Sequence, residues 1–594
     1  MERTEHELIK GGSFVIDALD AERLFTPEDF SDEHKMIGDT TAGFVDDRVM
    51  PVLERIEKHE FDLSVELLKE AGELGLLGAD VPEEYGGYQL DKISSSIITE
   101  RFAKARSFAL SYGAHVGIGT LPIVFFGSEE QKHKYLPKLA TGEWIAAYAL
   151  TEPGSGSDAL GAKTTAVLNE AGTHYVLNGE KQWITNAGFA NVFVVYAKID
   201  GDKFSAFIVE RDFKGVSTGA EEQKMGIKGS STRTLILEDV EVPVDNLLGE
   251  IGKGHVIAFN ILNVGRYKLA VGAVGSSKRA FDLSVQYANE RKQFKTPISQ
   301  FPLIQEKLAT MAANIYAMES SVYRTGGLFQ DSLDALGDEN MRDGSKVAQA
   351  IAEYAIECSL NKVFASETFD YVVDEAVQIH GGYGFMAEYE VENLYRDSRI
   401  NRIFEGTNEI NRLIVPGTLL KKAMKGELPL LAEAQKLQKE LMSYIPQELD
   451  GSPLAREKML LSNMKKINLM VAGTAVQKYQ QDLQNEQEIL AKIADMISAI
   501  YALEAAIART DKAIARSGEE KNTLKVRYTE IFAEQVFKQV ELMAKEVLYA
   551  AASGDEQRML LSAMKKFSRY QPINMIGTKR EVAASLIKAN KFIV

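Results

Sequence analysis

Hydrophobic spacing changes twice along this 594-residue chain, and those two changes restrict its fold more than any single motif does. From about residue 27 to 147 apolar positions recur three and four apart, in Phe61 to Leu77 and again from Leu121 to Leu139, which predicts helices. Near Tyr148 the texture alters. Tyr175-Val-Leu-Asn178-Gly179-Glu carries the Asn-Gly signal of a tight hairpin, and the runs at 192–198 and 204–209 read as strands. Helical period then returns, with Ile304, Leu308, Met311, Ile315 and Met318 on one face. The order predicts an α+β protein in which a middle β domain sits between two helical ones. After Gly417 Lys, Glu, Gln, Leu and Ala dominate, with Pro429 and Gly451-Ser-Pro453 as punctuation. The expected divisions are an N-terminal extension over 1–26, a helical domain over 27–147, a β domain over 148–255, a second helical domain over 256–425 and a helical extension over 426–594.

Length suffices for three or four domains with large cores. The net charge of −17 spreads along the chain, which argues against binding nucleic acid through its phosphates. Cys358 is the single cysteine and lies in a helical pattern, so it reads as a buried thiol; no intramolecular disulfide can form, and a reducing compartment fits. No signal peptide is visible, and no uninterrupted apolar run reaches about 18 residues. A cytoplasmic location is expected, with membrane association as an addition, or the matrix side of the mitochondrion for a eukaryotic source. No metal centre is expected. In the extension, Leu460, Met464, Ile467 and Val471 form a stripe with Lys465 and Lys466 toward the other side. Such a stripe either packs on the core, the favoured reading, or rests on an anionic membrane surface. The like octamers at 459–466 and 559–566 read as coincidence rather than duplication.

Four segments carry chemistry. Ile403-Phe-Glu405-Gly406-Thr407-Asn-Glu409 puts one carboxylate among apolar neighbours, where desolvation would raise its pKa and suit it to take a proton from carbon; the local alternative is a plain helix end. Tyr148-Ala-Leu150-Thr151-Glu-Pro-Gly154-Ser-Gly156-Ser157-Asp158 offers hydroxyls and a backbone able to approach an anion or a flat ring. In Lys181-Gln-Trp183-Ile-Thr185-Asn186 an indole and a hydroxyl share one face of a strand. Gln378-Ile-His-Gly381-Gly382-Tyr-Gly384-Phe385 is a further place for phosphates to meet backbone. No dinucleotide fingerprint competes: Gly72, Gly75 and Gly78 have the wrong spacing, and Gly252-Lys-Gly254 lacks a third glycine.

In this order and spacing the four segments resemble the acyl-CoA dehydrogenase family over about residues 25–420. The first family signature is met from Ala149 to Asp158, and the second at Gln378, Gly381, Gly382, Gly384, Phe385, Glu388 and Asp397. Asn393 stands where a basic residue is usual and Lys295 where glycine is common. The 11–14 region, 303–308 and the extension look most like the very-long-chain branch and its bacterial relatives. The resemblance implies a helical domain, a sandwich- or barrel-like β domain, a four-helix bundle and an added helical domain. It implies FAD as cofactor and α,β-dehydrogenation of medium to very long acyl-CoA thioesters to trans-2-enoyl-CoA, the first step of β-oxidation, with electrons passed to electron-transfer flavoprotein. Glu405 would take the α-proton while hydride leaves the β-carbon, and Gly265 carries no competing carboxylate.

By the same resemblance Tyr148, Leu150, Thr151, Ser157, Trp183, Thr185, Arg291, Phe294, Gln378, Gly382 and Thr407 would contact the cofactor, with Gln378 and Gly382 supplied by a neighbouring subunit. Ser157, Asn263, Arg266, Gly113, Ala114, Phe404 and Gly406 would contact substrate, Arg266 at the CoA nucleotide. The shared cofactor site implies a homo-oligomer, a dimer or a dimer of dimers. Two other readings share the scaffold: a flavoprotein oxidase reoxidised by oxygen, and a non-catalytic assembly protein, against which an intact Glu405 argues.

Overall fold

Short capping signals start the N-terminal helices of this computed structural model, which describes residues 8–341, 343–442 and 449–594. The longer helices are α1 (Asp32–Phe44), α2 (Phe61–Glu73), α3 (Lys92–Phe102), α4 (Ser107–Gly113) and α5 (Glu129–Thr141), with short ones at Leu53–Ile56 and Leu121–Phe126. Asp91 accepts the N–H groups of Ile93 and Ser94 at the head of α3, and Ser128 with Gln131 forms a reciprocal cap on α5. α4 runs on into a π turn, Ala114–Gly119. There His115 accepts the N–H of Ala146 at Nδ1 (3.0 Å) and donates from Nε2 to Leu139 (3.0 Å), tying this domain to the first strand. Burial holds that imidazole neutral, its pKa down to about 4. The stretch Ser107–Phe126 is long and apolar enough to cross a membrane, but 72% of its most apolar window is buried within the protein.

The middle domain is one sheet of eight strands: β1 (Ala146–Ala149), β2 (Thr165–Leu168), β3 (His174–Thr185), β4 (Val192–Ile199), β5 (Lys203–Glu210), β6 (Val216–Thr218), β7 (Thr232–Pro243) and β8 (Leu247–Leu248). Their order is β6-β7-β3-β2-β4-β5-β8, with β1 parallel to β4. Three strand spacings separate β3 from β5, about 14 Å in a flat sheet. Yet the rings of Tyr175 and Phe207 lie 5.3 Å apart, so the sheet curls over its own apolar face, which Leu177, Val195, Leu235 and Val240 fill. The domain starts two residues before the expected boundary, at Ala146, and the next helix starts at Gly254.

Asn178-Gly179 is not a hairpin. It lies inside β3 at a bulge against β7, where Asn178 exchanges hydrogen bonds with Asp239 and a Cβ on Gly179 would meet Thr164 Oγ1 at 2.4 Å. The β2–β3 turn is at Asn169–Thr173, closed by the Asn169 side chain on Thr173 N–H (2.9 Å). Glycine at 179 serves close approach of Thr164, just ahead of β2, a need that composition alone does not separate from a turn.

α6 (Gly254–Glu290), α7 (Pro302–Asp334), α8 (Ala355–His380), the short α9 (Glu390–Ser398) and α10 (Asn408–Met424) follow. The extension contributes α11 (Leu430–Met442), α12 (Ala455–Tyr479), α13 (Gln487–Ser517), α14 (Thr523–Ala551), α15 (Gly554–Phe567) and α16 (Met575–Ala589). α13, α14 and α16 pack on α7, burying Met311, Ile315, Tyr316 and Met318. Leu460, Met464, Ile467 and Val471 are core, as the packing reading expects. Lys465 is buried, donating to Glu504 and to the Asp17 carbonyl, and Lys466, half-buried, pairs with Glu440. Cys358 is buried.

Residues 8–30 form a strap across the bundle and extension. Gly11 and Gly12 donate to Glu353 and Glu357, and Tyr354 donates to the Ile9 carbonyl. Glu28 pairs with Arg509 and Lys525, and Asp29 with Lys512 and Arg516.

Candidate active site

The loop from α9 to α10 carries Glu405 and Gly406 in consecutive left-handed conformations, φ 57° and 79°. That geometry costs a glutamate about 1–2 kcal/mol, so its surroundings must impose it. Asn411 Nδ2 donates to the carbonyls of Glu405 (3.3 Å), Gly406 (2.9 Å) and Thr407 (3.1 Å). Arg266 Nε donates to the Glu405 carbonyl (3.1 Å), and Lys362 Nζ to the Gly406 carbonyl and Asn408 Oδ1 (both 2.7 Å). Thr407 caps α10 by accepting the N–H of Ile410. All but the Lys362 bond to Asn408 Oδ1 grip backbone, and none takes the Glu405 carboxylate.

That carboxylate lies over Gly265, where a Cβ would stand 2.7 Å from Oε2. Oε2 is out of water and has no hydrogen-bond partner among the described residues. The residue borders a cavity, but the acidic oxygen itself is buried, and its burial pushes the pKa up to about 7 against the pull of Arg266 and Lys362. Burial likewise brings the Lys362 ammonium down to about 7, opposed by Glu405.

The cavity, about 200 Å³, is where three domains meet. Leu110, Gly113, Ala114 and Ile118 line it from the N-terminal domain, Thr185 from the end of β3 and Ile227 from the loop before β7, and Gly265, Gly272, Phe369, Phe404 and Glu405 from the bundle. A Cβ at Gly113 or Gly272 would meet nothing within 4 Å, so these glycines leave width and depth.

On the sheet side Trp183 sits at the second bulge of β3 with φ 60° and 59% of its surface exposed, while Ile184 points into the core. Gln182 N–H donates to the Thr151 carbonyl (2.8 Å), bringing the two motifs together. Glu152 anchors that junction, accepting Lys181 (2.6 Å), Thr164 (2.5 Å) and the Lys163 N–H (2.6 Å). Gly154 and Gly156 have no near neighbours, Ser157 is exposed, and Leu150 and Tyr148 are buried behind the loop with the Tyr148 hydroxyl unpartnered. An indole left in water beside Thr185 and a bare glycine loop fits a flat, hydrogen-bonding ring system such as a flavin.

Arg291, Phe294, Gln378 and Gly382 do not line the cavity. They are exposed on a separate face, where the Arg291 guanidinium lies 5.5 Å over the Tyr383 ring and Phe294 and Phe385 are 90% and 82% exposed. Lys295, where glycine is common, takes φ 66°. Asn393 accepts from Arg396.

Arg266 departs from expectation. It is 7% exposed, bonded to Asn263 Oδ1 (3.0 Å) and to the Glu405 carbonyl, so it braces the base and is not open to a nucleotide. Lys362 and Asn411 escaped the sequence reading because each sits in an ordinary helical pattern, and only tertiary register aims it at the loop.

Family patterns described as the N-terminal, middle and C-terminal domains of acyl-CoA dehydrogenase match residues 31–143, 147–240 and 252–420, and a further acyl-CoA dehydrogenase C-terminal domain matches 463–566. A probable acyl-CoA dehydrogenase of Bacillus subtilis is 66% identical over the full length of both chains. The human mitochondrial very long-chain specific acyl-CoA dehydrogenase is 37% identical, covering 75% of this chain and 69% of that one. The crystal structure of an acyl-CoA dehydrogenase complexed with FAD from Bacillus anthracis superposes with a TM-score of 0.97 at 67% identity, over 99% of this chain and 100% of that one. Sequence, fold and site geometry agree: this chain belongs to the acyl-CoA dehydrogenase family.

Proposed function

We infer that this chain is an FAD-dependent acyl-CoA dehydrogenase, an oxidoreductase that converts a saturated acyl-CoA thioester to its trans-2-enoyl product. The observation that carries this reading is the unpartnered Glu405 carboxylate at the cavity, its pKa near 7 from burial. Such a base is about half ionised at neutral pH and basic enough to take a weakly acidic α-proton. Its rigid backbone keeps the oxygen aimed, and the Glu405 N–H, which has no partner among the described residues, is the donor this reading assigns to the thioester oxygen. FAD, when bound, supplies the two-electron oxidation that removes the β-hydrogen as hydride. Thr151, Trp183 and Thr185 would hold its ring, and Arg291, Phe294, Gln378 and Gly382 its phosphate and adenosine end across a subunit boundary. The exposed Phe294 and Phe385 support burial of that face by a second copy.

The open walls at Gly113 and Gly272 favour medium to very long chains, and electron-transfer flavoprotein is the proposed acceptor. Saturated acyl-CoAs of increasing length, offered with a dye acceptor, should reduce the dye; peroxide formed at a comparable rate without an acceptor would overturn the dehydrogenase reading in favour of an oxidase. Gly382→Glu, at a position with no protein neighbour within 4 Å, should lose FAD on dialysis without unfolding. Full flavin retention would remove Gly382 from the cofactor site.

A further inference from the structure

A second, smaller hollow of about 20 Å³ lies beside the cavity, lined on its apolar side by Phe125, Val264, Phe329, Leu333 and Ile351. Lys268 borders both spaces. Along α6, Gly265, Leu269 and Gly272 face the cavity, whereas Val264 and Tyr267 face the hollow. At about 100° per residue Lys268 falls between those two faces. Its stem lies against α4's continuation, with Cδ 3.8 Å from where a Gly117 Cβ would be. Its Nζ donates to Asp80 Oδ2 (2.7 Å), and the same carboxylate takes Lys92 (2.5 Å) and Ser95 (2.7 Å). Burial would push the Asp80 carboxyl up, but Lys268 and Lys92 together hold it far below the usual range.

A lysine beside a hydrocarbon-sized cavity is unusual, because its ammonium needs a buried partner. Here the ammonium is drawn away to Asp80, so the cavity meets the four-carbon stem, held taut by the ion pair. Asp80 would still be paired through Lys92 without Lys268, so this ion pair is not required to neutralise Asp80.

We propose that Lys268 is a specificity-determining residue that limits the depth of the acyl pocket, its pinned stem closing the way from the cavity into the second hollow. Removing the stem frees room for roughly three or four methylenes, and the hollow adds space for about one more. The proposal rests on the acyl-CoA reading above.

The test is the ratio of kcat/KM for octadecanoyl-CoA over dodecanoyl-CoA in the FAD-loaded enzyme. Lys268→Ala should raise it about tenfold, the worth of two newly buried methylenes. Lys268→Met, which keeps the stem's bulk without its charge, should keep the wild-type ratio, and Val264→Phe added to Lys268→Ala should return the ratio toward wild type by filling the hollow. A flavin-retaining Lys268→Ala with an unchanged ratio, or Lys268→Met shifting as far as Lys268→Ala, overturns the partition. If Lys268→Ala loses flavin, Lys268→Val takes its place, and an unchanged ratio there overturns the proposal equally. A wild type inactive on every acyl-CoA would instead overturn the substrate reading. A length profile that moves in Gly113→Leu and not in the Lys268 variants would overturn the partition alone.

Discussion

A buried carboxylate without a partner destabilises a fold, and Glu405 is such a group. Its folded pKa, about 7, lies above the usual 4.5, so the folded state binds the proton more tightly than the unfolded chain does. Stability from this residue is therefore greatest below pH 4.5 and is lost as pH rises through 7. Glu405→Gln should raise the melting temperature, and more at pH 8 than at pH 5, while turnover falls by at least about 10²–10⁴. In the wild type kcat/KM should climb about tenfold per pH unit below 7 and level off above it, the carboxylate being the active form. A flat pH profile with near-normal turnover by the variant would take the role from Glu405. Gly265 yields a second expectation. A methyl there would press on the far end of the glutamate rather than on backbone, so Gly265→Ala should keep its fold and flavin. The base would be displaced, and kcat should drop about 10²-fold. Unaltered kinetics would show that the carboxylate has room to spare.

At the scale of elements, α4 and α6 form the walls of the acyl space, and Gly113→Leu would place a branched side chain into open cavity. Each methylene excluded is worth about 0.8 kcal/mol, so the chain-length optimum should shorten, as kcat/KM across a series of saturated acyl-CoAs would reveal. An unchanged series would place the end of the pocket elsewhere. Much of this architecture was legible in the sequence, because periodicity reports burial: the stripe on α12 and the strands β4 and β5 stand where spacing put them. The desolvated setting of Glu405 was legible too, since its motif is contiguous. What pattern could not reveal was relation across elements. Lys362 and Asn411 are one polar residue each in a helix, with no local sign that they grip the same loop. Arg266 was misjudged for the same reason: motif position named the residue, but only packing showed its guanidinium turned inward. At Asn178-Gly179 the local turn signal lost to close approach by Thr164.

The molecule as a whole is joined by buried charge. Glu319 on α7 takes Lys278 from α6 and Arg509 from α13, and although burial pushes its carboxyl up, those two cations bring it down to about 2. Its contribution is present above its unfolded pKa of 4.5 and is lost as pH falls toward 2. Glu319→Ala would take one of two carboxylates from each cation, Lys278 keeping Glu100 and Arg509 keeping Glu28, and should cost about 1–3 kcal/mol. Limited proteolysis should then cut the extension at denaturant concentrations the wild type withstands; equal protection would show that Glu100 and Glu28 suffice to hold the two cations. The ties between Glu28 and Arg509 and between Asp29 and Lys512 span 481 and 483 residues of sequence. On the ribosome, Glu353 and Glu357 become available to the strap well before Arg509 and Lys512, which hold its Glu28 and Asp29. At about 5–20 residues per second the beginning of the chain waits tens of seconds for its seat, with the α7 face bare meanwhile. Chains stalled at residue 480 should therefore be cleaved readily within 8–30, whereas released full-length chains should resist; early protection would mean the strap docks without the extension. A nascent chain therefore keeps that face exposed to aggregation until the helices of the extension arrive.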